Sequence, residues 1–447
     1  MPSSPRYDAI VVGGGLAGIA TATWLAKRGR HVALVEPRSE WGGRFADQRV
    51  GGLTIHVGPR VVVSHERLGW ADAYFEAIGL ALPLLVREGT TFKREPLQII
   101  WGPHRLTIAQ QRADFVEELR REYRAGEPDV AALLADLDAV YDALAIRMDP
   151  PPSGDTRSSL ARLRGLAAAR AFAARFGTLE PTEYVKARGL APALASYLES
   201  WRGALATEGD PTGAWLFRTA LVHRGLVSVP GGRASVCRLL VARFQALGGE
   251  VLRTPVTAIG TGREPFVETD GRRLHTRALL INARRRPNGS APREPRAPMA
   301  TLAYTVPATC VPDAMGTYLL VADQGELWSV ARRRSEGAQG SAPDLLTVSS
   351  RAPAAGRDVE RISERVEALL PFAARQIVLL GAVRYDEATD PLDAKLWESA
   401  SWRAGGDGWR QVSRSPVWWL PDESPPWLGD ANEYRVALSI NRIVCPP

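Results

Sequence analysis

At 447 residues the chain can bury a large core and should divide into two or three domains. Its three cysteines, Cys237, Cys310 and Cys445, are far apart and form no C-x-x-C pair, which excludes a disulfide framework and a zinc site and fits a reducing compartment. The formal charge of +7 is almost all arginine and lacks a dense basic run interleaved with aromatics, so nucleic-acid binding is not expected, whereas weak attraction to an anionic membrane is compatible with it. With no signal-peptide pattern at the start, the expected location is cytoplasmic, with peripheral membrane contact as a variant; composition leaves the oligomeric state open.

The uncharged run Ala9-Ile10-Val11-Val12 reads as a buried parallel strand. It runs into Gly13-Gly14-Gly15-Leu16-Ala17-Gly18, where Gly13 permits a tight turn, Gly15 lets backbone approach a pyrophosphate, and Gly18 lets the next helix pack closely on the strand. That helix continues through Thr21 to Lys27, and its first amides, at Leu16 and Ala17, with the positive end of its dipole, make an anion site out of backbone. The uncharged stretch Ala9 to Ala26 could also score as a membrane span, but its glycines and threonines predict strand, turn and helix instead. A second strand, His31 to Val35, ends at Glu36 and Pro37, and Glu36 has the spacing of an acid that contacts an adenosine ribose, favouring FAD or NAD over NADP. A lone G-x-G-x-x-G also arises in plain turns. Here the strand before it, the helix after it and the acid at the right distance together point to a dinucleotide.

Gly42-Gly43-Arg44 follows, then Val50 to Arg60, which reads as a hairpin whose return strand ends at Gly58. At this point the sequence resembles the FAD-dependent amine oxidase and phytoene desaturase superfamily, which includes the protoporphyrinogen oxidases. The resemblance implies that the dinucleotide is FAD, that Arg44 contacts a phosphate or the ribityl chain, and that Gly58 and Pro59 pass beside the isoalloxazine. His56 stands where the family often has an acid. Arg60 either reaches the flavin front face and binds a carboxylate, or is a solvated strand-end arginine.

A second block, Val227 to Arg233 with Pro230-Gly231-Gly232, precedes a helix from Ala234 to Leu247 and a strand opened by Gly248-Gly249-Glu250-Val251. Pro255-Val256-Thr257-Ala258-Ile259 then resembles the family segment that lays backbone against the adenine, with Val256 at the matching position, although an ordinary helix capped by Gly248 and feeding a strand also fits. Arg277 to Ala283 resembles the strand at which the chain leaves the cofactor domain. In the third block Gly429 and Asp430 match the family's Gly-Asp pair near the ribityl and pyrophosphate, and Ser439 matches its serine, but Ile440 replaces the following glycine.

The fold expected is α/β: a Rossmann-like FAD-binding domain with a parallel sheet and helices, plus an α+β substrate domain with a mixed or antiparallel sheet and a helical insertion. The discontinuous cofactor domain would comprise residues 1–63, 222–283 and 410–447, and the substrate domain residues 64–221 and 284–409. In the first insertion Ile108 to Tyr123 and Val130 to Ile146 have helical periodicity, and Pro150 to Gly154 is a solvent loop open to disorder. In the second, Ala300–Val306, Thr317–Ala322 and Leu345–Val348 read as antiparallel strands, with Asp358 to Leu370 as a helix on the sheet.

The four lysines, Lys27, Lys93, Lys186 and Lys395, have no clear match to the lysine that amine oxidases of this family usually place near flavin N5, which disfavours amine oxidation. His56, His65 and His223 lack metal-ligand spacing; no metal is expected, and each histidine reads as structural ahead of catalytic. The catalytic group stays open between Arg60 and His56. Trp397, Trp402, Trp409, Trp418, Trp419 and Trp427 crowd the last part of the chain, either lining an apolar pocket or packing a core. The resulting expectation is an FAD-dependent oxidoreductase that oxidises or desaturates an apolar or aromatic small molecule, an isoprenoid or specialised metabolite, by hydride transfer to N5, with oxygen or a quinone as reoxidant. A flavin-dependent isomerase, an amine oxidase and a non-catalytic binding protein of the Rab GDP-dissociation-inhibitor type are the alternatives.

Overall fold

The computed structural model describes residues 6–58, 60–62, 70–108, 112–124, 126–147, 179–205, 227–282, 299–323, 326–334, 343–351, 358–384, 402–404, 410–412 and 415–420, with positions 171, 215–216, 219–220, 223, 434, 436–438 and 440. Pro59, His65, Pro150 to Gly154, Lys395, Trp397, Trp409, Trp427, Gly429, Asp430 and Ser439 lie outside the described residues, as do the side chains of Arg44 and Trp402.

Five strands run parallel in the order β20 (Val417–Trp419), β12 (Arg272–Ile281), β1 (Arg6–Val12), β2 (Val32–Val35) and β9 (Glu250–Leu252). Their side chains alternate between two cores, which is why the strands read as continuous apolar runs. Ala9, Val11, Val32, Leu34, Ala278, Leu280 and Trp418 face helices α1 (Leu16–Lys27) and α8 (Gly232–Ala246). Ile10, Val12, Ala33, Val35, Leu279, Ile281, Val417 and Trp419 face the other way. That second core is closed by Val267 and Leu274, where β10 (Val256–Gly260) and β11 (Phe266–Thr269) fold antiparallel onto β12. Trp418 and Trp419 are therefore core residues on opposite faces of one strand.

Two expected boundaries move. Helices α2 (Trp70–Ala77) and α3 (Leu82–Glu88) send Ala71, Tyr74, Phe75 and Leu82 into the α1 core together with Phe92, so residues 70–92 pack with the nucleotide sheet. Tyr74 donates to the Ala20 carbonyl at 2.8 Å and stacks on Tyr434, with ring centroids 4.9 Å apart. Ile440, in place of the family glycine, is fully buried in that same core. At the other end β18 (Trp402–Ala404) and β19 (Arg410–Val412) pair onto β20, which puts residues 402–404 in this sheet as well.

The second sheet has the order β17 (Val378–Arg384), β13 (Met299–Val306), β16 (Asp344–Arg351), β15 (Glu326–Arg333), β14 (Tyr318–Asp323), β6 (Leu97–Trp101) and β7 (His104–Ile108), antiparallel except at β14 and β6. The pair β6 and β7 corrects the reading of Ile108 to Tyr123 as one helix. Leu106 and Ile108 are buried at period two around a turn at Gly102, whose φ is 53°, and helix α4 (Arg112–Tyr123) begins only after that strand. One face of the sheet carries Leu302, Tyr304, Leu319, Trp328, Val330, Leu346 and Val348 against helix α9 (Asp358–Leu369). The other face meets α4, α5 (Glu127–Arg147), α6 (Pro181–Arg188) and α7 (Ala193–Leu205) at its β14, β6 and β7 end.

Within that helical layer the Tyr197 hydroxyl lies 2.6 Å from His223 Nε2, and the Phe115 ring packs on the imidazole with centroids 4.7 Å apart. Burial pulls His223 down from 6.5 to about 4, only partly opposed by Asp138. The folded protein thus binds fewer protons than the unfolded chain between these values, so His223 makes stability fall as pH drops through that window, by up to about 3 kcal/mol. Denaturant midpoints of the wild type at about pH 7 and about pH 5 should therefore diverge more than those of His223→Gln. Equal acid losses in both proteins would remove His223 from the acid response.

Candidate functional site

The glycine turn is held by backbone. Gly13 N donates to Val35 O at 2.9 Å and Asn282 N donates to Val12 O at 2.8 Å, tying the ends of β1, β2 and β12 together. Gly13 has φ 106°, and a Cβ there would sit 2.3 Å from Asn282 O. A Cβ on Gly18 would sit 2.3 Å from Gly13 O. The Gly18 amide donates to Asn282 Oδ1 at 3.2 Å, a contact worth about 1 kcal/mol. Gly15 caps α1 without any side-chain hydrogen bond, leaving the amides of Leu16 and Ala17 as an anion-binding edge.

Glu36 is buried at the end of β2 but is not idle. Its Oε2 accepts from Gly14 N at 2.6 Å, and its Oε1 accepts from Arg38 N and Nε at 3.1 and 3.0 Å. The approach needs Gly14, since a Cβ there would lie 2.7 Å from Glu36 Cγ and 2.9 Å from the Trp41 ring. The middle glycine, to which no role was assigned above, thus makes room for the acid. A two-pronged contact from Glu36 to a ribose requires the half-exposed Arg38 side chain to swing aside. Exposed Pro37 follows, and Arg253 stacks on Trp41 at 3.7 Å while donating to the Arg38 carbonyl. Val256 belongs to the same core as Val35 and Leu252, and Glu36 N donates to Leu252 O at 3.0 Å, so the β9–β10 segment flanks Glu36.

The Gly42-Gly43 segment packs on the same turn. Gly42 N donates to Gly14 O at 2.9 Å, and Gly43 approaches Gly15 so closely that a Cβ would be 3.4 Å from its Cα. Both glycines have positive φ, which allows the short turn over Gly43–Phe45. Arg233, from the Pro230-Gly231-Gly232 turn, stacks on Phe45 at 4.2 Å. Gly232 meets His56, whose Cβ would be 2.7 Å from an added methyl.

His56 Nδ1 donates to Asp47 Oδ1 at 2.9 Å, and Arg238 Nη1 donates to Asp47 Oδ2 at 2.8 Å. Burial alone would raise Asp47, but the hydrogen bonds from His56 and Arg238, reinforced by their charge, hold it below the usual carboxylate range. His56 is thus locked into a chain of side chains that ties the hairpin of β3 (Gln48–Val50) and β4 (Leu53–Ile55) to α8. Asp47, Arg238 and Asn282 were not among the residues singled out; only the place of Asn282 directly after an apolar strand marked it in the sequence.

Gly58 N donates to Thr301 Oγ1 at 3.2 Å on the second sheet, and Arg60 O accepts from Val229 N at 2.6 Å. Arg60 is 5 % exposed, which rules out a solvated strand-end arginine. Its Nη2 donates to Thr347 Oγ1 at 3.1 Å and its Nη1 to Pro230 O at 3.4 Å. Burial pulls the guanidinium down to about 10 and the positive charge of Arg333 adds to this, partly offset by Tyr318 and Asp47. Among the described lysines, Lys93 pairs with Glu95 at 2.6 Å and remains half-exposed, Lys27 ends α1 and Lys186 lies on α6.

The chain matches the family described as NAD(P)-binding Rossmann-like domain over residues 11–77. It is 32% identical over 89 residues to pseudooxynicotine dehydrogenase of Pseudomonas sp, a match spanning 19% of this chain and 18% of that protein. It is 30% identical over 123 residues to hydroxyneurosporene desaturase of Rubrivivax gelatinosus, spanning 27% of this chain and 21% of that protein. These matches thus span about a fifth of the curated relatives' own length. Among solved structures, a putrescine oxidase double mutant superposes with TM-score 0.56 at 14% identity, covering 99% of this chain and 100% of the other. A Rab GDI from Plasmodium falciparum superposes with TM-score 0.53 at 10% identity, covering 86% and 91%.

The glycine geometry separates packing from strain. Gly13→Ala meets both a left-handed φ and the Asn282 carbonyl, and should cost about 3 kcal/mol or more. Gly29→Ala, with φ 73° and nothing within 4 Å, should cost only about 1 kcal/mol. Urea unfolding of both variants checks this, and equal costs would show that the contact with Asn282 contributes nothing.

Proposed function

This chain has the fold and the N-terminal dinucleotide motif of the FAD-dependent amine oxidase and phytoene desaturase superfamily, and from that premise we propose that it is an FAD-dependent oxidoreductase acting on a small-molecule substrate. The observation that carries the reading is the close backbone approach of Gly42 and Gly43 to the Gly13–Gly18 turn at the carboxyl ends of β1 and β2. Backbone crowded this closely suits a long, flat, anionic dinucleotide that side chains would obstruct.

In this reading the amides of Leu16 and Ala17 hold the pyrophosphate, Glu36 takes the adenosine ribose and Val256 lies towards the adenine. Gly58, fixed by Thr301, and the segment through Arg60 border the flavin ring. Bound FAD supplies a hydride acceptor at N5. The chain's own part is to position the substrate carbon and exclude water, with the second sheet as the far wall. The substrate class proposed is an apolar or aromatic small molecule, oxidised or desaturated. Amine oxidation is disfavoured because none of the four lysines, Lys27, Lys93, Lys186 and Lys395, has a clear sequence match to the lysine usual in amine oxidases of this family, and Lys93 is engaged by Glu95.

A non-catalytic binding role is the second reading, favoured by the Rab GDI that shares the fold. The complete turn from Gly13 to Gly18 with Glu36 weighs against it. Natively purified protein should be yellow, and Glu36→Ala should bind FAD about tenfold more weakly, equivalent to about 1.4 kcal/mol, in a flavin fluorescence titration. A colourless wild type that takes up no added FAD would sink the enzyme reading. Anaerobic reduction by candidate substrates then separates an oxidase or desaturase, which bleaches the flavin, from an isomerase, which leaves its net redox state unchanged.

A further inference from the structure

Five large hydrophobic side chains are exposed among the described residues, and three of them, Phe372, Val378 and Leu379, fall in the single stretch 372–379. Phe372, in the turn Pro371–Ala373, is 86 % exposed. Val378 and Leu379 open β17, which ends the seven-stranded sheet and pairs only with β13 among the described strands. Val378 lies opposite Thr305 and Leu379 opposite Tyr304, so the two side chains point to opposite faces of the sheet. The exposed apolar surface follows an edge, not a face.

The two edges of this sheet differ. At β7 the outward backbone is capped by α4: Arg105 N and Thr107 N donate to Glu122 Oε1 and Glu118 Oε2, both at 3.0 Å, and Arg121 Nη2 donates to Arg105 O at 3.0 Å. No such cap runs along β17 among the described residues, and from Val378 to Val383 the strand has neither charge nor proline. Val50 of the β3–β4 hairpin packs at Gly381, on the face that carries Ala303 and Ile55. A bulge at Leu380, where the register against β13 shifts, twists the edge without charging it. Such an edge invites another strand.

The exposed side chains narrow the partner. A flat surface reaches Val378 or Leu379 but not both, whereas a strand laid along the edge is flanked by both. A second β17 fits: antiparallel pairing of a strand with its own mate closes about a two-fold axis and sets no like charges opposite one another from Val378 to Val383. Phe372, Val378 and Leu379 of two copies supply roughly 600 Å² of apolar surface, about half of the ~1,200 Å² at the lower end of specific interfaces. The paired strands and the exposed Pro371 and Ala382 add to that area, which suits a dimer in equilibrium with its monomer.

We propose that the β17 edge is a homodimer interface, in which two copies pair β17 with β17 antiparallel and cover each other's Phe372, Val378 and Leu379.

The test is sedimentation velocity of the purified protein over about two decades of concentration. Phe372→Ser and Val378→Lys are compared with Leu84→Lys, a control at an exposed position on α3. The wild type should pass from monomer to dimer. Phe372→Ser and Val378→Lys should each raise the dissociation constant about tenfold or more, while Leu84→Lys should leave it unchanged. Thermal melts of the dilute proteins should coincide, because the altered side chains are exposed. Should Val378→Lys not fold, Phe372→Ser, in a turn outside the sheet, carries the comparison. Amide exchange over residues 378–384 should slow in concentrated protein, since pairing closes the outer hydrogen bonds of the strand. A wild type that stays monomeric overturns the proposal, as does a dimer that survives both substitutions or leaves the β17 amides unprotected. Species that grow past the dimer overturn the two-fold pair. Binding to phosphatidylglycerol–phosphatidylcholine vesicles by monomeric protein, lost in Phe372→Ser, overturns it in favour of a lipid surface.

Discussion

The contact between Gly13 and the Asn282 carbonyl is the constraint from which the nucleotide side of the molecule follows. With only 2.3 Å between that oxygen and the place a Cβ would occupy, the end of β1 and the end of β12 can meet only through glycine. Asn282 then uses its remaining groups on the same junction, its amide on Val12 and its side-chain oxygen on Gly18. Helix α1 is thereby started at a fixed angle over the sheet. Because β1, β2, β9, β12 and β20 are parallel, their carboxyl ends open on one edge, the edge at which α1 begins.

The second sheet applies the opposite packing logic at its two ends. Where β14, β6 and β7 meet the helical layer, Leu97, Ile99, Leu106 and Tyr318 fill the interface. Where β13 and β16 face Gly58 and Arg60, Thr301, Thr347 and Ser349 are buried next to Ala303 and Leu345, which pack on Ile55. The hydroxyls there supply acceptors for the Gly58 amide and the buried guanidinium.

Electrostatics divides the site in the same way. At the end of β2 the charge is compensated internally, with Glu36 shared between Gly14 and Arg38. In the middle, Asp47 ties His56 to Arg238 and makes the histidine a brace between the β3–β4 hairpin and α8. At the seam the Arg60 side chain donates instead to a carbonyl and a hydroxyl. A closed network rigidifies the elements it joins.

The local elements that position the nucleotide site were legible in the sequence because each follows from short-range rules. A short uncharged run ending in glycines reads as a strand buried on both faces, a glycine turn leading into a helix offers backbone amides to an anion, and the spacing from Gly13 to Glu36 is set by one helix and one strand. The same rules misplaced the start of α4, since period-two burial at Leu106 and Ile108 blends into a helical pattern within a few residues. Pairings across the chain were beyond them. That residues 70–92 pack on α1, that His56 finds Asp47 and Arg238, that Trp418 and Trp419 belong to opposite cores, and that Arg60 is buried all depend on which distant segments meet. Sequence determined the backbone cradle, whose geometry is written in glycines; tertiary structure decided the charge balance at the seam, because burial and counter-ions are properties of neighbours that no local spacing records.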